Sequence, residues 1–273
     1  LVGSAANDSV GSFVTALTNG NYVTSSAAWN SFRGAVTWGN GSNGNPKGAV
    51  SSSNSLVGSS ANDEVGYNVL ALNNGDYVTS TQAWNGNRGA VTWGTGNSVV
   101  GTVSSGNSLV GSNANDSVGH FLLALSNGNY AATAAGWDLG ATTDVGAIAW
   151  GNGISGTKGM ISTSNSTYGQ AMGDSVSDYN ARAVANGNYI VQSRYFSGSV
   201  TNAGAVTLLR GNTTYPGPVT SKNSVFGMKT GDGDSLVFDY SPTKDQLVVG
   251  RPYENIVSLL RVDEISRGDF DVH

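Results

Sequence analysis

Five aspartates recur at near-constant spacing. They are Asp8, Asp63, Asp116, Asp174 and Asp234, separated by 55, 53, 58 and 60 residues. Carboxylates in such a set have two chemical readings. Brought to one face, they form a ring of ligand-binding groups. Alternatively, each accepts hydrogen bonds from nearby backbone N–H groups and pins a turn, as Asp habitually does. Recurrence in every unit favours the turn role, because folding is what every unit needs. The five are therefore read as structural turn aspartates.

A second recurring set is aromatic. Trp29, Trp84 and Trp137 follow short apolar runs, and Arg33 and Arg88 come four residues after the first two. Copy four holds Tyr195-Phe196 nearby and copy five Tyr253. An aromatic ring at a loop mouth is a platform for a sugar or a lid over the gap between repeats. The arginine is missing from copies three and four, where Val145 and Ala203 stand. That asymmetry marks either a ligand site or merely a solvated loop. Trp29, Arg33, Trp84, Arg88 and Trp137 are the candidate ligand-binding residues. A third set, Trp38, Trp93 and Trp150, gives way to Leu208 and Leu259. A position accepting Leu for Trp is expected to fill core space. Arg267-Gly268-Asp269 is the tripeptide that some integrins bind, but it also falls where Lys158-Gly159 and Pro216-Gly217 make a turn.

Catalytic groupings find no support. The two histidines, His120 and His273, lie in different units, and there is no cysteine. No Ser-His-Asp arrangement is visible. Asp63-Glu64 and Asp263-Glu264 are adjacent pairs that would face opposite ways in strands. The expectation is a non-enzyme without cofactor or metal. Net charge is −5 with only 11% charged residues, so nucleic acid is not an expected partner. No run approaches the ~18 apolar residues of a spanning helix, so no membrane insertion is expected. Asn, Ser, Thr and Gly carry solubility, a composition that favours an extracellular or cell-surface location on a bacterium. A glycan or a host or matrix protein is the expected kind of partner.

The elements that must position these residues follow from the repeat. Leu56-Val57-Gly58-Ser59-Ser60-Ala61-Asn62-Asp63 restates the first eight residues, and Leu109–Asp116 states them again. The copies run over approximately 1–55, 56–108, 109–166, 167–223 and 224–273, read as one domain over 1–273. In copy two, Val65–Leu72, Tyr77–Ser80, Gly89–Trp93 and Val99–Ser104 are β-prone runs bounded by Gly, Asn and Ser, and so predict strands A to D. The Asn-Gly between A and B supplies the positive φ of a tight hairpin. With 39 glycines and no helical period, helices are not expected. In copy five, Leu236–Tyr240, Gln246–Gly250 and Ile256–Leu260 fit A to C. Four strands per unit is the count of one propeller blade. The expected fold is all-β, a five-bladed β-propeller of four-stranded antiparallel blades. Up-and-down connectivity would put the D-to-A and B-to-C loops at one end.

The stretch Asn62–Leu72, then Gly75-Asp76-Tyr77-Val78, then Arg88–Trp93 resembles an FG-GAP repeat. That is the blade unit of integrin α-subunit propellers, and the likeness extends to repeats of filamentous-haemagglutinin-like secreted bacterial proteins. The resemblance implies a propeller and a non-catalytic extracellular recognition or adhesion role. A glycan-binding lectin with sites on or between blades, and a spacer without ligand, remain alternatives. Calcium-binding members carry an acidic loop between A and B. Here that place holds Asn19-Gly20, Asn74-Gly75, Asn127-Gly128 and Asn186-Gly187, too few carboxylates for calcium.

Overall fold

The computed structural model of the chain describes residues 1–96 and 99–261. It is all-β, with five sheets of three to five strands. In chain order the strands of the first two copies are β1 (Phe13–Ala16), β2 (Tyr22–Ser26), β3 (Ala35–Gly39), β4 (Leu56–Val57), β5 (Asn68–Ala71), β6 (Tyr77–Thr81), β7 (Ala90–Gly94) and β8 (Gly101–Thr102). Then come β9 (Leu109–Val110), β10 (Leu122–Ala124), β11 (Tyr130–Ala134), β12 (Ala147–Gly151), β13 (Gly159–Met160), β14 (Ser166–Tyr168) and β15 (Asn180–Ala183). The last are β16 (Tyr189–Ser193), β17 (Ala205–Leu209), β18 (Gly217–Pro218), β19 (Ser224–Phe226), β20 (Val237–Ser241), β21 (Gln246–Arg251) and β22 (Ile256–Arg261).

The chain packs as two compact units. Of the described residues, the first comprises those within Leu1–Ala124, Gly128–Ala132 and Gly151–Ile161; the second comprises Leu125–Asn127, Thr133–Trp150 and residues 162–261. The first unit holds the sheets β1-β2-β3-β4-β8 and β13-β9-β7-β6-β5, and the paired residues of the β10–β11 hairpin, Leu122–Ala124 with Tyr130–Ala132. The second holds β12-β14-β18, β15-β16-β17-β19 and β20-β21-β22.

Strands A to C form as the sequence predicts, antiparallel and in chain order. The strand beyond them does not. Uniform four-stranded antiparallel blades are replaced, among the described residues, by sheets of unequal size, three of which carry a parallel outer pair. The place next to β3 is taken by β4, the Leu-Val that opens the following copy, and β8 adds to β4 in parallel. Of the run Val99–Ser104, only Gly101–Thr102 is a strand, and it is the fifth of its sheet. The reason is burial. Leu56 and Val57 are the more apolar pair and are buried against β3, while Gly101, at φ 104°, suits an edge. The Thr37 and Ser55 hydroxyls also meet, 2.6 Å apart, as do those of Thr92 and Ser108.

Among the described residues, each of the first four sheets thus takes its fourth strand from the start of the next copy, and the fifth sheet has three strands. Central strands are buried on both faces: Val23, Ala35, Val36 and Thr37 of the first sheet are covered, as are Val78, Thr79, Ala90 and Val91 of the second. Strands covered on both sides lose the alternation of apolar and polar residues. They read instead as Ala, Val, Thr and Ser, small enough for neighbouring repeats to approach. In the first unit Leu17, Val23 and Val36 of copy one share a core cluster with Leu56, Tyr77 and Trp84 of copy two and Val110 of copy three. In the second, Ile190, Val206 and Leu208 pack with Leu236, Leu247 and Leu260.

Candidate functional site

The loop that precedes each strand A is a backbone knot around one carboxylate. Asp63 Oδ2 accepts the Ser59 and Ser60 N–H groups at 2.7 and 2.8 Å and the Ser59 hydroxyl at 2.7 Å. Its Oδ1 accepts the Asn85 N–H at 3.0 Å, reaching across to the loop between β6 and β7. Asp8 does the same with Ser4, Ala5 and Asn30, and Asp174 with Gln170, Ala171 and Ser197. Asp116 accepts from Ser112 and Asn113. The D-to-A and B-to-C loops therefore meet at one end of each repeat. In copy five the place is filled by Asp232, which is buried and accepts the Met228 and Lys229 N–H groups at 3.1 and 2.7 Å. Asp234 is not in that place: its carboxylate is exposed, 3.6 Å from Arg194.

Hydrogen bonds to the charged form favour it. The Asn30 N–H, followed by that of Ala5, holds the Asp8 carboxyl below its ordinary value, against the opposing effect of burial. A lowered folded-state value contributes stability that is present above the ordinary value, about 4, and lost as pH falls through the lowered one. The melting temperature is expected to fall below about pH 4, and Asp8→Asn to flatten that fall in thermal melts.

The B-to-C loop explains what Asp63 reaches toward. Asn30, Ser31 and Phe32 stand at φ 50°, 60° and 60°, a left-handed turn. That turn aims successive carbonyls at the next copy: Ser31, Phe32 and Arg33 accept the N–H groups of Asn62, Glu64 and Val65. Asn87 and Arg88 repeat the pattern with Ser117 and Val118, and Asp144 and Val145 with Ser175 and Val176. Left-handed conformation costs an ordinary residue ~1–2 kcal/mol, and Asn less. Phe32 is exposed and stands where copy two has Asn87. Phe32→Asn is expected to stabilise the protein by about 1 kcal/mol in denaturant titrations.

The candidate ligand residues lie in or beside this turn, and the structure spends them on packing. Trp29, Trp84 and Trp137 are only 7%, 8% and 4% exposed, so no indole face is open for a sugar. Trp29 packs on Val50 and Val57, and Trp137 meets Tyr168 edge-on at 5.8 Å. Phe196 replaces the tryptophan in copy four and stacks on Phe226. The Arg33 carbonyl takes the Val65 N–H, and the Arg88 guanidinium donates to the Ser112 carbonyl. The set expected to be core, Trp38, Trp93 and Trp150, is instead only partly buried. Two of its indoles cross to later turns: Trp93 Nε1 donates to the Gly153 carbonyl at 3.1 Å and Trp150 Nε1 to that of Gly211 at 2.8 Å.

The Asn-Gly turns work at this opposite end. Asn19 donates to the Gly75 carbonyl, Asn74 to that of Gly153 and Asn127 to that of Gly211. A further recurring residue escapes the sequence reading. Asn54 accepts the Ser51 N–H and the Ser55 hydroxyl and donates to the Ala49 carbonyl, and Asn107 and Asn223 behave alike. Its signal was the Asn-Ser that stands before each Leu-Val or its counterpart in copies two to five. The tyrosines after the later Asn-Gly turns, Tyr77, Tyr130 and Tyr189, are buried, and burial pushes the Tyr77 and Tyr130 phenols up to about 12. Values raised in the folded state give stability that is full below the ordinary value, about 10, and lost as pH rises through the raised one. Ultraviolet titration is expected to leave these two phenols neutral until about pH 12 or until the fold melts.

Aromatic side chains are among those open to solvent. On neighbouring strands β1, β5 and β10 and the residues entering them, Phe13 is 70% exposed, Tyr67 58% and Phe121 49%. The His120 and Phe121 rings stack at 4.3 Å. Among the described residues, no group of three or more His, Cys, Asp or Glu could hold a metal ion, and no helix is long and apolar enough to cross a membrane. Arg267-Gly268-Asp269 and His273 lie outside the described residues.

These tied, strand-sharing repeats define an all-β repeat protein. The chain belongs to the family described as a repeat of unknown function, DUF5650, which it matches over residues 16–67, 71–120, 124–178 and 183–235. Each matched segment begins on the last residue of a strand A (Ala16, Ala71, Ala124 and Ala183) and ends after the next turn aspartate, so that it takes in the borrowed fourth strand. No curated protein shows significant similarity to the chain.

Proposed function

We propose that this chain is a non-catalytic recognition or adhesion module working outside the cell. Its FG-GAP kinship, and the reading of each sheet as a propeller blade, belong to the same proposal. The observation that carries it is a division of labour. Recurring residues, the turn aspartates, the Asn-Gly asparagines and the tryptophans, are taken up by bonds and packing within and between repeats. Exposed or half-exposed positions at the start of strand A vary instead: Ser12, Tyr67 and His120 at one place, Phe13, Asn68 and Phe121 at the next. A constant frame with variable exposed aromatics is how repeat scaffolds carry recognition.

The test is a screen of the purified chain against immobilised glycans and extracellular-matrix proteins, beside a panel of chromogenic glycosides. Saturable binding without turnover is the expected result. Turnover lost on changing a carboxylate pair would overturn the reading, and a blank on every surface would favour a spacer.

A further inference from the structure

Copy four carries a side-chain cluster that copies one to three lack. By strand register, Arg194 stands where copies one to three have Ala27, Gln82 and Ala135, and Tyr195 where they have Ala28, Ala83 and Gly136. Copy four also has one residue more between its turn aspartate and strand A, Asp178, and Tyr179 stands where copies one to three have Ser12, Tyr67 and His120. A feature that the repeat fold does without elsewhere is not explained by folding.

The cluster is built and held. Asp178, nearly buried, accepts the Arg194 backbone N–H at 2.9 Å and its Nε–H at 3.1 Å. Arg194 Nη1 lies 3.6 Å from the exposed Asp234 carboxylate. The guanidinium sits over two tyrosine rings, 4.4 Å from the centre of Tyr179 and 5.1 Å from that of Tyr195. Both rings are about half exposed. Gly233 allows the turn bearing Asp234 to close on this strand end: a Cβ there would lie 1.9 Å from the Arg194 carbonyl oxygen. All these groups belong to the second compact unit.

The geometry points to a binding site for a neutral pyranose at Tyr179, Arg194, Tyr195 and Asp234, an inference that rests on the recognition reading above and names its ligand class. Tyrosine faces offer apolar area to the C–H face of a sugar ring, with a polar tip beside it. A guanidinium next to a carboxylate presents donors and acceptors side by side, matching vicinal hydroxyls. Two carboxylates flank the single guanidinium, so sialic acids, uronates and sulfated sugars meet net negative charge. The same pairing holds Arg194 in place before ligand arrives, which lowers the ordering cost of binding.

The experiment uses the full chain with neutral oligosaccharides (β-linked glucose, N-acetylglucosamine, galactose and mannose series) and with sialyl and sulfated oligosaccharides. Tyr195→Ala restores the residue of copies one and two and should keep the circular dichroism of the wild type. Expected are binding of a neutral series, affinity weakened about tenfold by Tyr195→Ala and further by adding Tyr179→Ala, and no binding of the anionic series. Should a variant fail to fold, the Arg194 Nε–H resonance of the wild type is followed instead, and must shift on titration with the neutral series. Glycan binding unchanged in Tyr195→Ala, a silent Arg194 resonance, or a preference for anionic sugars overturns the inference. If no glycan binds but a matrix protein does, the inference falls and the recognition reading survives; if nothing binds, both fall.

Discussion

Gly89→Ala is expected to destabilise the protein by about 4 kcal/mol or more, a value reached only by a short list of mechanisms. Two of them act here. Gly89 stands at φ 76°, where an ordinary residue costs ~1–2 kcal/mol. The larger effect is space. An alanine Cβ would lie 2.3 Å from both the backbone nitrogen and the backbone oxygen of Val118. Backbone cannot rotate aside as a side-chain tip can, so the turn of copy three must move away from the loop of copy two. That motion breaks the bonds from Ser117 to the Asn87 carbonyl and from Val118 to the Arg88 carbonyl. Gly86→Ala is the control. Gly86 lies in the same loop at φ 72°, but no atom lies within 4 Å of where its Cβ would be. It should cost only the conformational ~1–2 kcal/mol. Urea titrations of the two variants separate strain from close approach; equal losses would show that the contact between copies contributes nothing.

Much of this architecture was readable from letters, and the failures have physical causes. Strands A to C were legible because they are local: an apolar run, an Asn-Gly turn and a second run must pair as a hairpin. The meeting of the two loops at one end followed from connectivity and is realised in the bond from Asn30 to Asp8. Strand D was misread because two short runs, Val99–Ser104 and Leu109-Val110, compete for one neighbour. Which of them wins depends on burial against a distant strand, not on propensity. The tryptophans were misread for a different reason. Substitution of Trp by Leu reports volume, and volume says nothing of the indole N–H. Trp93 and Trp150 donate theirs to a later turn and are only partly covered, whereas Trp29 and Trp84 fill closed space. The fifth turn aspartate was assigned to Asp234 in Gly231-Asp232-Gly233-Asp234, where the structure has Asp232, but a decisive signal was present. In copies one to four a glycine stands five residues before the turn aspartate (Gly3, Gly58, Gly111, Gly169), and Gly227 selects Asp232. The copy-four cluster was invisible because Asp178, Arg194 and Asp234 converge only once the strands are paired in register.

Asp63→Asn gives the second large effect, and it separates the two meanings a recurring carboxylate can have. Asp63 accepts four hydrogen bonds, three on Oδ2 and one on Oδ1. An amide has one accepting oxygen. With that oxygen turned to Ser59 and Ser60, its NH2 faces the Asn85 N–H, donor against donor, in a buried place. The charge that strengthens the remaining bonds is also gone. The expected loss is about 2–4 kcal/mol, from one broken charge-assisted bond, a stranded donor and weakened partners. A carboxylate kept for a ligand predicts the reverse: unchanged stability, with binding abolished. Placement of the damage is a further discriminator. The Asp63 turn hydrogen-bonds to the copy-one loop through Asn62, Glu64 and Val65, while its Oδ1 ties the copy-two loop. In an array whose repeats touch only their neighbours, instability stays near its source. Amide hydrogen exchange in Asp63→Asn should therefore quicken in β3, β4, β6 and β7 and leave β15 to β17 at wild-type rates. Uniform quickening along the chain would mean that the repeats melt as one cooperative body, and that the bonds between loops do not divide the stability among them.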